Sequence, residues 1–206
     1  MVKVRLIKNV DDITFNLEKF KKDSNILLVT GLSGSGKSYL SKSLAKEHNA
    51  SIFQPEWLKH TKHITPEFKP LLESFFHLHP DIVDLAKAKW NNTKSEDKNE
   101  LFKKYINLFF KHFLSNIDKD KLYIVEGLQI FSLIDFELIK DYPIIIKGTS
   151  STKSLKNRYK RDLANKNITK RTSKFKFLMR ILKESRLYQF KHRKVLNRFI
   201  KNYATK

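Results

Sequence analysis

Cysteine is absent from the 206 residues, which excludes disulfides, thiol nucleophiles and cysteine-ligated metals. Glycine and proline are scarce, five of each, and no Pro- or Ser-rich linker, internal repeat or low-complexity tract divides the chain. It therefore reads as a single domain, residues 1–206, too short for two of ordinary size. No apolar run approaches the roughly 20 residues needed to cross a bilayer. The first eight residues interrupt their apolar side chains with Lys3, Arg5 and Lys8, so no secretory signal is expected. The expectation is a cytoplasmic protein without a membrane partner. In that setting the sequons at Asn91 and Asn167 carry no sugar.

Acids are missing from one place in particular. From Ser151 to Lys206 only Asp162 and Glu184 stand against 19 Lys and Arg, so this quarter holds +17 of the total charge of +21. Seven of the eight arginines lie there too. A segment this basic attracts polyanions, either nucleotide phosphates or a nucleic-acid backbone. The remainder is balanced, and a hydrophobic share of 40% with 31% charged residues fits a globular chain.

Short Ile- and Val-rich runs at residues 25–30, 50–53, 122–125 and 143–147 read as buried strands. Residues 38–48 between the first two read as a helix with Leu40, Leu44 and Ala45 inward. Residues 2–20 would add an edge strand and a helix. Strands of this kind alternating with helices predict an α/β fold, a parallel sheet flanked by helices. Residues 55–120 form a helical insert. A helix is expected from Thr65, with a capping threonine and proline first, and another over 95–117. The latter carries Phe102, Tyr105, Ile106, Phe109, Phe110, Phe113, Leu114 and Ile117 as a core-facing stripe. Residues 173–203 predict a long basic amphipathic helix.

Three of the five glycines fall in Gly31-Leu32-Ser33-Gly34-Ser35-Gly36-Lys37-Ser38, which matches G-x-x-x-x-G-K-[ST] between a predicted strand and a predicted helix. Gly31, Gly34 and Gly36 let the backbone wrap around an anion with its N–H groups inward. The following helix contributes its positive end. Lys37 then reaches the β- and γ-phosphates and Ser38 holds Mg²⁺, so ATP and Mg²⁺ are the expected cofactors. Ser33, Ser35 and Tyr39 complete the expected nucleotide-binding set. The alternative, a Gly/Ser-rich turn carrying a lysine, does not account for the strand before it and the helix after it. Residues 165–168 lack the aspartate of a guanine-reading N-K-x-D, and nothing resembles a transporter-subunit signature.

The strand at 122–125 ends in Glu126-Gly127. An acid ending the strand beside the phosphate loop's strand lies where doubly wound sheets bind ligands, so Glu126 is expected at the metal or the acceptor.

With Val125-Glu126-Gly127, Asp135, the run 143–147 and Arg158-Tyr159-Lys160-Arg161-Asp162, the chain resembles the uridine kinase and phosphoribulokinase group of P-loop kinases over roughly residues 25–54 and 120–165. It is more loosely similar to zeta-toxin-like kinases. The resemblance implies a P-loop NTPase fold with a basic helical lid and C-terminal region over about 151–206. It also implies that Arg158 and Arg161, with Arg171 beyond them, close over the nucleotide and stabilise the moving phosphoryl group; a solvated basic helix face is the other reading of any one of them. Such kinases place an aspartate near the end of the second strand as the acceptor's base. Here Gln54-Pro55-Glu56-Trp57 follows, making Glu56 the candidate, with an ordinary surface glutamate as its other reading and Asp81 and Asp84 as lesser options. His77 and His79, two apart, do not share a helix face and read as structural or solvent-facing.

The expected activity is ATP- and Mg²⁺-dependent phosphoryl transfer to a small acceptor of nucleoside, nucleotide or sugar-nucleotide type. The alternative is a nucleic-acid-directed P-loop protein, such as a polynucleotide 5′-kinase, motivated by the basic segment with Phe175, Phe177, Tyr188, Phe190 and Phe199 interleaved. Helical spacing favours a core role for those aromatics. A regulatory ATP-binding switch is the third.

Overall fold

The computed structural model describes residues 4–7, 24–59, 63–82, 95–149, 153, 154, 156, 157, 159, 160 and 174–204. Five strands form one sheet: β1 Val4–Ile7, β2 Ile26–Gly31, β3 Ser51–Phe53, β4 Tyr123–Glu126 and β5 Ile144–Lys147. Their order across the sheet is β1-β5-β2-β4-β3 and every pairing is parallel. The expected parallel α/β sheet is therefore present, and the edge strand expected near the N-terminus is β1. The helix expected within residues 2–20 lies outside the described residues.

Because successive strand residues face opposite sides, the continuous apolar runs supply two cores. Leu27, Val29, Ile124 and Ile145 meet Leu40 and Leu44 of helix α1, Lys37–His48. Ile26, Leu28, Tyr123, Val125, Ile144 and Ile146 meet a larger aromatic layer on the other face. That layer comes from α2, Lys69–Leu78, and α3, Ser95–Asn116. The stripe is buried from Phe102 to Phe113 as the spacing predicts, with Leu114 and Ile117 partly buried, and Phe109 and Phe113 stack on Phe53 at 5.4 and 5.2 Å between centroids. Two one-turn helices follow β4, α4 Gln129–Ser132 and α5 Phe136–Ile139. The long helix α6, Lys174–Ala204, packs Phe199 against Phe131 and Phe136. Among the described residues no helix is long and apolar enough to cross a membrane.

Two local expectations are corrected. Thr65 makes no side-chain cap. A 3₁₀ turn, Pro66–Phe68, intervenes before α2, and the Phe68 N–H bonds the Thr65 backbone carbonyl at 3.0 Å instead. The aromatics of α6 also divide. Phe199 is core, but Phe190 is 67% exposed, with Lys194 Nζ 5.6 Å from its ring centre. The side chains of Phe175, Phe177 and Tyr188 lie outside the described residues.

Candidate functional site

β2 passes to β3 on one side of the sheet, whereas the chain leaving β4 runs to β5 on the other. The carboxyl ends of β2 and β4 thus flank the point where the connections diverge, which is where open α/β sheets hold ligands. Residues 31–38 turn between β2 and α1 at that point. Gly34 and Gly36 adopt φ of 77° and 90°, the left-handed region that suits glycine. A Cβ on Gly34 would stand 2.5 Å from the Ser154 carbonyl oxygen.

A cleft of about 570 Å³ opens against this turn. Ser33, Gly34, Gly36, Lys37, Ser38 and Tyr39 line one side; Glu56 and Glu126 complete the expected residues there. Tyr39 is 71% exposed and Glu56 is exposed. Gly31 ends β2 without lining the cleft. Ser35 is buried within the turn, and its Oγ has no hydrogen-bond partner among the described residues.

Lys37 is only 8% exposed, and its Nζ donates to the Leu32 carbonyl at 3.0 Å. The ammonium is thereby drawn back over its own loop. Glu126, 5% exposed at the end of β4, accepts a hydrogen bond from the Gln54 amide. Burial pushes its carboxyl above the ordinary range. The Lys37 ammonium and the hydrogen bonds from Ser38 and Gln54 oppose that rise, while the Glu56 carboxylate adds to it. The net direction is upward. Lys37, Ser38, Gln54, Glu56 and Glu126 therefore form one electrostatic unit.

The residues present fit a phosphate anion and a divalent cation. α1 starts at Gly36 with no side-chain cap and no acid in its first turn, so its leading N–H groups favour an anion. Among the described residues no group of three or more His, Asp or Glu could hold a metal. Glu126 and Ser38 are instead one carboxylate and one hydroxyl, the sparse protein share typical of Mg²⁺ that also binds substrate phosphates.

Several residues that line the cleft or hold its turn carry no signal in the sequence. Gln54, directly after β3, holds Glu126. Ser154, 1% exposed, donates its hydroxyl to the Ser33 carbonyl. Asn157 Nδ2 donates to the Gly34 carbonyl at 3.1 Å and also lines the cleft. Gln129, buried after Gly127, lines it too. The nearest signal was the i,i+3 spacing of Ser154 and Asn157 in a stretch that is helical at its described positions. Arg158, Arg161, Arg171 and Asp84 lie outside the described residues. Asp81 is exposed and does not line the cleft. His77 is exposed and His79 rests on the Phe75 ring at 4.9 Å.

No family model matches the chain, and no curated protein matches it.

Proposed function

We propose that the protein is a P-loop kinase, moving the γ-phosphoryl group of ATP to a small acceptor with the help of Mg²⁺. The observation that carries this reading is the convergence of Lys37, Ser38 and Glu126 on one cleft at the diverging strand ends, beside an uncapped helix start. The backbone of residues 31–38 and Lys37 would hold the phosphates, and Ser38 and Glu126 the cation, which when bound neutralises charge developing on the transferred group. Glu56 would take the acceptor's proton. Tyr39 lines the same cleft from the first turn of α1. Arg158, Arg161 and Arg171 remain proposed nucleotide contacts, and the cytoplasm the proposed compartment.

The test is transfer of radiolabelled γ-phosphate from ATP with Mg²⁺ to pooled nucleosides, nucleotides, nucleotide sugars and 5′-hydroxyl oligonucleotides, with Lys37→Ala as control. Label that depends on Lys37 supports the reading; equal labelling by the variant refutes the site.

One observation favours the nucleic-acid alternative: Phe190 stands exposed on α6 beside Lys194, a pairing that serves base stacking. Single-strand binding that falls steeply with salt and is lost in Phe190→Ala would support it.

A further inference from the structure

A second depression opens on the other side of Glu126. It follows β3, the outermost strand on that side of the sheet, and encloses about 440 Å³. Ser38, Gln54 and Glu126 line both this groove and the nucleotide cleft. The two cavities thus share a wall made of the residues assigned to the chemistry.

Beyond that wall, the half-buried lining includes Ala45, Ile52 and Trp57. Trp57 is anchored: its ring meets Phe53 edge-on at 6.3 Å, and its backbone N–H bonds the Gln54 carbonyl at 2.8 Å. The exposed lining includes Lys42, Thr65 and Glu67. Glu67 is held toward β3 by a hydrogen bond from the Ser51 hydroxyl at 2.5 Å.

Charge decides what this groove can accept. In a chain of net charge +21, the ionisable lining among the described residues is two carboxylates, Glu67 and Glu126, against the ammonium of Lys42. A phosphate-bearing acceptor would set further negative charge beside Glu67 and next to the triphosphate, with the exposed Lys42 to offset it. A neutral alcohol meets no such penalty. Its C–H face can cover Ile52 and Trp57, and its hydroxyls can bond Thr65 and Glu67.

We propose that this groove is the acceptor site and that it takes a small, uncharged polyhydroxy compound with one apolar face. The proposal rests on the kinase reading and narrows it, excluding phosphorylated acceptors and nucleic-acid ends. The reacting hydroxyl sits at the Gln54–Glu126 end. Its oxygen forms a bond to the γ-phosphorus as the bond from that phosphorus to the β–γ bridging oxygen breaks. ADP leaves with that oxygen, and the hydroxyl proton passes to Glu56, which lines the adjoining nucleotide cleft together with Gln54 and Glu126.

The experiment uses the whole chain with radiolabelled ATP and Mg²⁺, and three acceptor sets: free ribonucleosides and sugars, their monophosphates, and a 5′-hydroxyl oligonucleotide. ATP affinity is measured in parallel by equilibrium dialysis. Label is expected on a neutral compound only. Trp57→Ala should raise that compound's KM by about tenfold, through loss of a buried aromatic face, with ATP affinity unchanged. Thr65→Trp, at an exposed position, should block the groove in the same way without touching the core. Label on a monophosphate or on the oligonucleotide would overturn the proposal. So would a neutral acceptor whose KM ignores both variants, or no neutral product from a protein that binds ATP through Lys37. Absence of Lys37-dependent ATP binding would instead overturn the kinase reading, and this proposal with it.

Discussion

The side-chain amide of Asn157 donates to the carbonyl oxygen of Gly34 over 3.1 Å, joining positions 123 residues apart. Ser154, three residues earlier, donates to the adjacent Ser33 carbonyl. A trans peptide sets its N–H opposite its C=O. Holding the Ser33 carbonyl against Ser154 therefore turns the Gly34 N–H away from it, leaving that donor for an anion. The start of the basic segment thus shapes the turn between β2 and α1.

Asn157→Ala and Ser154→Ala should each weaken ATP binding by about fivefold, the worth of roughly 1 kcal/mol for one hydrogen bond. Asn157→Asp should do more, because it sets a carboxylate against the Gly34 carbonyl and beside the phosphates. Asn157→Gln should recover part of the loss. Titration calorimetry with ATP and Mg²⁺ reads all four; unchanged affinity throughout would show that these bonds do not shape the site.

Of the three glycines with positive φ, Gly34 and Gly36 should respond differently to alanine. At Gly36 an added Cβ meets no heavy atom within 4 Å, so the cost is the left-handed backbone alone, about 1–2 kcal/mol. At Gly34 the Cβ also runs into the Ser154 backbone, so the loop must shift. Gly34→Ala is expected to lower the melting temperature further than Gly36→Ala and to lose more ATP affinity.

Glu126 gives a prediction about pH. Its folded carboxyl holds its proton more tightly than the ordinary value of 4.5. As pH rises past that value the unfolded chain releases its proton first, and the folded state loses stability until the buried carboxyl ionises too. Glu126→Gln removes this loss and keeps an oxygen able to accept from Gln54. Without nucleotide, the variant's stability relative to the natural protein should therefore be greater at pH 7.5 than at pH 4, as read by thermal unfolding. Its Mg²⁺-dependent transfer should be abolished. A difference in melting temperature that does not change with pH would contradict the buried, raised carboxyl.

The strands were legible because parallel strands buried on both faces read as unbroken Ile, Leu and Val runs, as in residues 26–29 and 144–146. The α3 stripe was legible because its aromatics repeat at helical spacing. The turn between β2 and α1 was legible because three glycines and Lys37 fall within seven residues. Ser154, Asn157 and Gln54 were not, since each reaches the site by a tertiary contact with no local pattern. The groove beside Trp57 was hidden for the same reason: Lys42, Ile52, Thr65 and Glu67 come together only when α1, β3 and the turn before α2 pack. Phe190 and Phe199 look alike in sequence, and only the placement of α6 puts one outside and one inside.

The most direct test of the central claim is equilibrium binding of ATP, with and without Mg²⁺, to the natural protein and to Lys37→Ala, with circular dichroism confirming that both are folded. Mg²⁺-assisted binding to the natural protein is expected, with a loss of about tenfold or more in the variant from removal of a charged hydrogen bond to phosphate. Equal affinity in two folded proteins, or no binding to either, would contradict it.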